Sequence, residues 1–238
     1  FGKPKIEWGK PPSFVGGGLG VKELSQEEEE ENTSWSIPWP YNTNREKDTD
    51  SDGDDDDNIE EKLQQQQQQK WFTFQMSDTY TETNQKYEIL MDGQMGDPNT
   101  LAMFVADNPF FAETILQMAM VLYYVNDRGR GSDLLRRSMF IYESALPSSL
   151  LPGGNNNGSE NNEIFMDYEQ KPNVGFFSTL FRIMQTSGMS GCHPNAMAVG
   201  RYLLSLDPLR DPMGVLLILD YYALASRRSV SLSDEDDG

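Results

Sequence analysis

The stretch "SLDPLRDPMGVLLILDYY" (residues 205–222) places two Asp-Pro pairs four positions apart, directly before a continuous apolar run. An Asp side chain can cap the first turn of a helix, and a proline fits in that turn because its missing N–H costs nothing there. Asp207-Pro208 therefore predicts the end of one helix, and Asp211-Pro212 predicts the start of the next. We expect neighbouring helices to cover the apolar run on both sides.

Two helical hairpins precede this junction. The first is predicted over 109–125 and 132–146, where apolar residues recur at helical spacing on either side of the turn "NDRGRG". The second is predicted in "VGFFSTLFRIMQTSG" and "HPNAMAVGRYLLSL", which follow Pro172 and are separated by a short turn. The run after Asp211-Pro212 is then the first helix of a third hairpin.

The hairpins recur at a similar period. Pro172 and Pro212 are 40 residues apart, and Pro109 and Pro172 are 63 apart, of which the polar loop 147–171 takes 25. A hairpin of this size cannot bury its apolar face alone and has to stack on its neighbours. We therefore predict an all-α fold of tetratricopeptide-like helical-hairpin repeats, an α-solenoid, over residues 71–228.

The 238 residues divide into four predicted parts. Residues 1–43 form an irregular arm rich in Gly and Pro, whose scattered aromatic side chains pin it onto a folded surface. Residues 44–70 form an acidic and polyglutamine insert, which is predicted to be disordered because such tracts bury too little apolar area to offset chain entropy. The helical repeat domain covers 71–228 with its polar loop, and 229–238 form an acidic, Ser-containing tail.

The formal charge of −19 is unevenly distributed. Residues 23–31, 46–61 and 234–237 hold 20 of the 38 acidic residues. Residues 109–228, in contrast, carry 11 acidic and 10 basic residues and are almost neutral. Direct DNA binding needs a basic face, so the composition argues against it for this segment.

Cysteine content and hydropathy indicate the compartment. A single cysteine, Cys192, excludes an intramolecular disulfide and suits a reducing environment. No run approaches the roughly 18 apolar residues that span a bilayer, and no signal peptide is visible in this segment. We expect a soluble cytosolic protein without a membrane partner, with the nucleus as a second location.

Catalytic constellations are missing from the sequence. The one histidine, His193, is next to Cys192 in a predicted turn, where neighbouring side chains rarely reach the geometry of a nucleophile and its base. Two such residues are also too few for a metal site. We expect a protein that is not an enzyme and needs no cofactor.

Arginines in the helical block are the candidate partner-binding residues. One interpretation is that they solvate ordinary helix faces, and the other is that they contact an acidic partner or ribosomal RNA phosphate. The candidates are Arg136, Arg137, Arg182 and Arg201. In the tail, Ser231 and Ser233 precede acidic residues, a context that acidophilic kinases favour, and they are predicted phosphorylation sites.

The order of these segments resembles the transcription factor 25 family, which includes the ribosome quality control complex subunit 1 of yeasts. The resemblance is carried by "WFTF", "NPFFAETILQMAMVLYYVNDRGRGSDLLRRSMFIYESAL", "NVGFFSTLFRIM" and "GCHPNAMAVGRYLLSLDPLRDPMGVLLILDYYALASR". It is collinear over residues 71–228 and fainter over 8–24. The lysine-rich N-terminal region typical of the family does not occur in this sequence.

The resemblance implies a non-enzymatic subunit of the ribosome quality control complex. Such a subunit works on stalled 60S subunits with the listerin-type ubiquitin ligase and promotes ubiquitin-dependent degradation of nascent chains. It also helps to recruit the AAA+ extraction ATPase, and ubiquitin itself is a further candidate partner. The older family name implies the alternative, a nuclear transcriptional repressor or corepressor that acts through protein contacts.

Overall fold

The computed structural model describes residues 5, 8–24, 70–93, 97–147, 164–208 and 210–233. The predicted acidic and polyglutamine insert, apart from Lys70, lies outside these residues, so its disorder stays a prediction. Within the described residues there are seven α-helices and three β-strands. In chain order they are β1 (Leu19–Glu23), β2 (Lys70–Met76), α1 (Asp78–Gly93), α2 (Pro98–Asp107), α3 (Ala112–Tyr124), α4 (Arg128–Ala145), β3 (Ile164–Met166), α5 (Lys171–Met189), α6 (His193–Leu206) and α7 (Leu216–Ser233).

The fold is mainly helical, as the apolar periodicity predicts. Helices α3 and α4 pack together, as do α5 and α6, so both predicted hairpins form. Contacts between α4 and α5 and between α6 and α7 connect these pairs in sequence order. The helices therefore stack one after another, and their identity as tetratricopeptide-like repeats of a solenoid stays a prediction.

The two Asp-Pro pairs have different positions, as predicted. Asp207 follows the last residue of α6, is 1% exposed, and accepts a hydrogen bond from the Tyr168 N–H at 3.4 Å. Asp211 caps α7, because its carboxylate accepts hydrogen bonds from the N–H groups of Val215 at 2.7 Å and Leu216 at 3.0 Å. One acid thus lies at the end of a helix and the other at the start of the next.

The position of the second proline differs from the prediction. Helix α7 begins at Leu216, so Pro212 lies ahead of the helix and not in its first turn. The reason is that Asp211 and Gly214 both have positive φ, 42° and 63°, which turns the chain before the helix can start. The expected helix start, an Asp cap followed by a proline in the first turn, is found at α2. There the Asp97 carboxylate accepts hydrogen bonds from two N–H groups, and Pro98 is the first helical residue.

A small three-stranded sheet accompanies the helices of this mainly helical fold. Strand β1 lies in the predicted irregular arm, β2 opens the predicted helical domain, and β3 lies in the predicted polar loop. β1 pairs antiparallel with β2 in the register Leu19 to Met76, and β3 pairs parallel with β2. Long-range pairing brings these segments together, and a strand as short as β3 carries no readable periodicity.

Aromatic packing joins the sheet to the helices. The Phe74 ring of β2 lies 5.2 Å from the ring centres of Tyr142 on α4 and Phe176 on α5. All three side chains are buried. Trp8, in the predicted arm, packs on Phe140 of α4 with ring centres 6.0 Å apart, while the pinning of the whole arm over residues 1–43 stays a prediction.

One buried amide holds the sheet against α5. Asn173 is completely buried in the first turn of α5, and its Oδ1 accepts hydrogen bonds from the Phe74 N–H at 2.9 Å and the Thr73 hydroxyl at 3.2 Å. Its Nδ2 donates to the Asp167 carbonyl oxygen at 2.7 Å. One side chain therefore satisfies polar groups on β2 and on the turn after β3.

We expect Leu203→Asp to unfold or strongly destabilise the helical block. Leu203 is 2% exposed in the main apolar core, and a carboxylate there would be buried without a partner. The matched control is Ala198→Asp, which adds the same charge at an exposed position of α6. Thermal melting should show a large drop for the first variant and little change for the second; equal melting points would contradict the packing.

We expect Asn173→Ala to destabilise the chain by about 2–4 kcal/mol, because the variant leaves buried polar groups without partners. Urea unfolding measures the effect. The control in the same helical turn is Lys171→Ala, which removes a surface ion pair and should cost under about 1 kcal/mol. A loss at Asn173 as small as that of the control would show that the sheet does not depend on this amide.

Candidate partner-binding cleft

A cleft of about 530 Å³ lies between α1, α3 and α5. Two helices form its long walls, and each contributes one face, with residues recurring every three or four positions. From α3 these residues are Glu113, Leu116, Gln117 and Met120, and from α5 they are Lys171, Val174, Gly175, Ser178, Phe181 and Arg182. The helices belong to consecutive hairpins, so the stacking of the hairpins creates the cleft.

Other parts of the chain complete the lining. Helix α1 contributes Asn84 and Tyr87, and Met76 lies at the end of β2. Tyr168 comes from the turn after β3, and Met213 comes from the connection between α6 and α7. The sheet and the Asp-Pro junction therefore both position residues of the cleft.

A carboxylate bound by two tyrosines forms part of the cleft lining. Glu113 accepts a hydrogen bond from the Tyr80 hydroxyl at 2.6 Å and another from the Tyr142 hydroxyl at 3.2 Å. The Tyr80 oxygen in turn accepts the Ala112 N–H at 3.2 Å. Gly175 makes this arrangement possible, because a Cβ at that position would lie 2.1 Å from the Tyr142 hydroxyl oxygen.

Burial determines the protonation of this cluster. Burial raises the pKa of the Glu113 carboxyl, and the hydrogen bonds from Tyr80 and Tyr142 partly oppose that rise. Burial and the nearby Glu113 charge raise the pKa values of both tyrosines well above the ordinary value. The same two causes raise the pKa of Tyr87 to about 12. The tyrosines therefore stay protonated and donate to the carboxylate.

Two cations line the cleft, and they differ in their partners. Lys171 pairs with Glu88 of α1 at 2.5 Å. Arg182 is half-buried and its Nη1 donates to the Gln185 side-chain oxygen at 2.8 Å. No carboxylate of the described residues forms an ion pair with Arg182. Its charge is therefore not neutralised within the described part of the chain.

The structure separates the four predicted arginines. Arg182 lines the cleft, while exposed Arg136 lines a different groove between the two hairpins, and Arg201 is exposed on α6. Arg137 has a structural role, because its Nη2 donates to the Pro109 carbonyl oxygen at 2.7 Å and burial lowers the pKa of its guanidinium. The four residues do not form one surface, and their contact with a partner stays a prediction.

Ser231 and Ser233 lie in the last turn of α7, so the helix extends five residues past the predicted end of the helical domain. Residues 234–238 of the predicted tail lie outside the described residues. Phosphorylation of the two serines stays a prediction.

The remaining sequence candidates, Cys192 and His193, lie at the start of α6. Cys192 is exposed in the turn before α6. The His193 ring lies 6.1 Å from the ring centres of both Tyr221 and Tyr222, which packs the start of α6 against α7. The described residues contain no group of three or more side chains that could hold a metal ion. Among the helices of the described ranges, none combines the length and apolarity needed to cross a bilayer.

Sequence reasoning did not identify the Glu113 cluster. The signal for it is a single acidic residue in the apolar stretch "PFFAETILQMAM". A lone carboxylate at the start of such a helix needs donors when it is buried, and tyrosines can supply them. Which tyrosines do so depends on the stacking of α1, α3 and α4.

The described residues define a mainly helical protein in which consecutive hairpins stack around an open cleft. The chain belongs to the family described as transcriptional repressor TCF25, whose sequence profile matches residues 72–234. This confirms the resemblance to the transcription factor 25 family.

Named relatives extend from animals to fungi. The Mus musculus protein named ribosome quality control complex subunit TCF25 is 26% identical over 157 residues, which are 66% of this chain and 22% of the relative. Ribosome quality control complex subunit 1 of Schizosaccharomyces pombe is 25% identical over 164 residues, 68% of this chain and 23% of the relative.

A third relative carries a different name. The probable transcription factor claV of Ampulloclitocybe clavipes is 28% identical over 169 residues, 71% of this chain and 20% of that protein. The chain thus spans only 20–23% of the length of these three relatives. No solved structure matches the chain.

The raised pKa of Glu113 predicts a pH dependence of stability. The folded chain keeps a proton that the unfolded chain releases near the ordinary glutamate pKa of about 4.3. The protonated Glu113 carboxyl therefore contributes fully to the free energy of unfolding below the unfolded pKa. This contribution is lost as pH rises through the folded pKa. Relative to the wild type, Glu113→Gln should gain stability as pH rises through this interval.

Urea unfolding of both proteins across this pH range measures the difference. The control is Glu82→Gln, which removes an exposed carboxylate from α1. A pH-independent difference between Glu113→Gln and the wild type would contradict the assignment.

Proposed function

We propose that this chain is part of a non-enzymatic subunit of the ribosome quality control complex. In this role it binds stalled 60S subunits with the listerin-type ubiquitin ligase and promotes ubiquitin-dependent degradation of nascent chains. The observation that carries the proposal is the match over residues 72–234 to a family whose relatives are named as subunits of that complex. The AAA+ extraction ATPase and ubiquitin are further proposed partners, and the proposed location is the cytosol.

The architecture supports an adaptor role. Consecutive helical hairpins present a cleft and exposed helix faces to partners, which is how stacked helical proteins form extended binding surfaces. Arg136, Arg182 and Arg201 remain available on three different parts of this surface, because the described residues offer none of them a carboxylate partner.

A nuclear transcriptional repressor is the second candidate. It is favoured by the family description and by the fungal relative named as a probable transcription factor. The helical block is almost neutral, with 11 acidic and 10 basic residues over 109–228. A repressor role would therefore operate through protein contacts and not through direct DNA binding.

Sedimentation of the full-length protein separates the two candidates. After translation is stalled, we expect the protein to co-migrate with 60S subunits and the ubiquitin ligase in a sucrose gradient. The co-migration should survive nuclease trimming of polysomes, and unstalled cells provide the control. Exclusive association with chromatin and no 60S fraction would contradict the proposal and favour the repressor.

A further inference from the structure

The cleft between α1, α3 and α5 has an apolar wall that is only partly covered. Leu116 is buried, while Met120, Val174 and Phe181 remain half-buried along the two helices. Two more methionines come from the end of β2 and from the connection between α6 and α7. Methionine side chains are flexible and polarisable, so such a wall can accept apolar side chains of different shapes.

The charged groups along the cleft have a definite order. Glu113 lies beside Gly175, since its Oε1 would be 3.1 Å from a Cβ there. Arg182 is seven residues further along α5, which corresponds to about 10 Å along the helix. The Glu113 charge is held by two tyrosine hydroxyls at its own end. Arg182 therefore sits at the opposite end without a carboxylate partner among the described residues.

The dimensions suit a short extended segment. The α5 wall runs from Lys171 to Arg182, about 16 Å along the helix axis. An extended chain advances about 3.3 Å per residue, so about five residues fit along this wall. Side chains of Asn84, Gln117 and Ser178 lie among the apolar residues and can bond the backbone of such a segment.

The charge pattern favours a protein segment over nucleic acid. Nucleic-acid binding draws on several cations that neutralise successive phosphates. Here one of the two lining cations, Lys171, is already paired with Glu88, and Glu113 adds a negative charge. A single unneutralised arginine beside an apolar wall instead matches one carboxylate next to apolar side chains.

We propose that this cleft binds an acidic peptide segment of a partner protein, with apolar side chains on the methionine-rich wall and a carboxylate on Arg182. The proposal rests on the adaptor function proposed above and names the kind of segment that the adaptor takes. Gly175 and the buried tyrosines Tyr80 and Tyr142 pack closely at the Glu113 end of the cleft.

Fluorescence anisotropy with the purified full-length protein tests the cleft. The probes are the fluorescein-labelled, C-terminally amidated peptide Glu-Asp-Leu-Leu-Asp, its equally labelled and amidated analogue Gln-Asn-Leu-Leu-Asn, which has no side-chain carboxylate, and a labelled oligouridine. We expect the acidic peptide to bind about tenfold more tightly than the neutral one, and added salt should weaken it. Equal affinity of both peptides, no binding of either, or preference for the oligouridine would each overturn the proposal.

Two cleft variants and one control locate the binding. Arg182→Gln and Met120→Glu, on opposite walls, should each weaken the acidic peptide about tenfold while melting stays unchanged. Arg201→Gln removes an exposed arginine that does not line the cleft and should bind like the wild type. If Arg201→Gln weakens binding and both cleft variants do not, the peptide binds elsewhere and the proposal is wrong.

Sedimentation of the wild-type protein, compared with its peptide binding, separates this proposal from the adaptor function. If the wild type co-migrates with 60S subunits but binds no acidic peptide in the cleft, only the cleft proposal fails. If the cleft binds the peptide and the protein never enters the 60S fraction, the proposed function fails and the peptide site stands.

Discussion

The close approach of α4 and α5 at Gly175 is the contact on which the other features depend. Without a side chain at this position, the Tyr142 hydroxyl can reach Glu113 on α3, and Tyr80 of α1 joins the same carboxylate. Four helices are thereby connected through one polar cluster, in which the two tyrosines are buried. Tyr142 also contacts Phe74 and Phe176, so the cluster is continuous with the aromatic core under the sheet.

The small sheet and the Asp-Pro junction position other residues that line the cleft. Asn173 ties β2 to the turn after β3, and Arg210 pairs with Asp167 and Glu169 in that turn. Burial raises the pKa of Asp207, which Arg210 partly opposes. The connection between α6 and α7 is therefore attached to the sheet, and it places Met213 in the cleft. Elements far apart in the chain thus converge on one surface.

The hairpin helices α3 to α6 could be predicted from local signals, because apolar periodicity is a property of short segments. The start of α7 could not, because positive φ at Asp211 and Gly214 delays the helix until Leu216. The strands could not, since β1 and β3 are short and acquire their structure only by pairing with β2. The surroundings of the arginines could not be predicted from the sequence either. Arg182 lines a surface cleft, whereas Arg137 supports the fold by binding the Pro109 carbonyl oxygen. These surroundings, which distinguish the two arginines, depend on how the helices stack.

The contact at Gly175 can be tested by a double-mutant cycle with Tyr142→Phe, followed by urea unfolding. We expect Gly175→Ala to destabilise the wild type by about 2 kcal/mol or more, because the new methyl group meets the Tyr142 hydroxyl. The same substitution should cost much less when Tyr142→Phe has removed that oxygen. Purely additive effects of the two substitutions would contradict the close approach of α4 and α5.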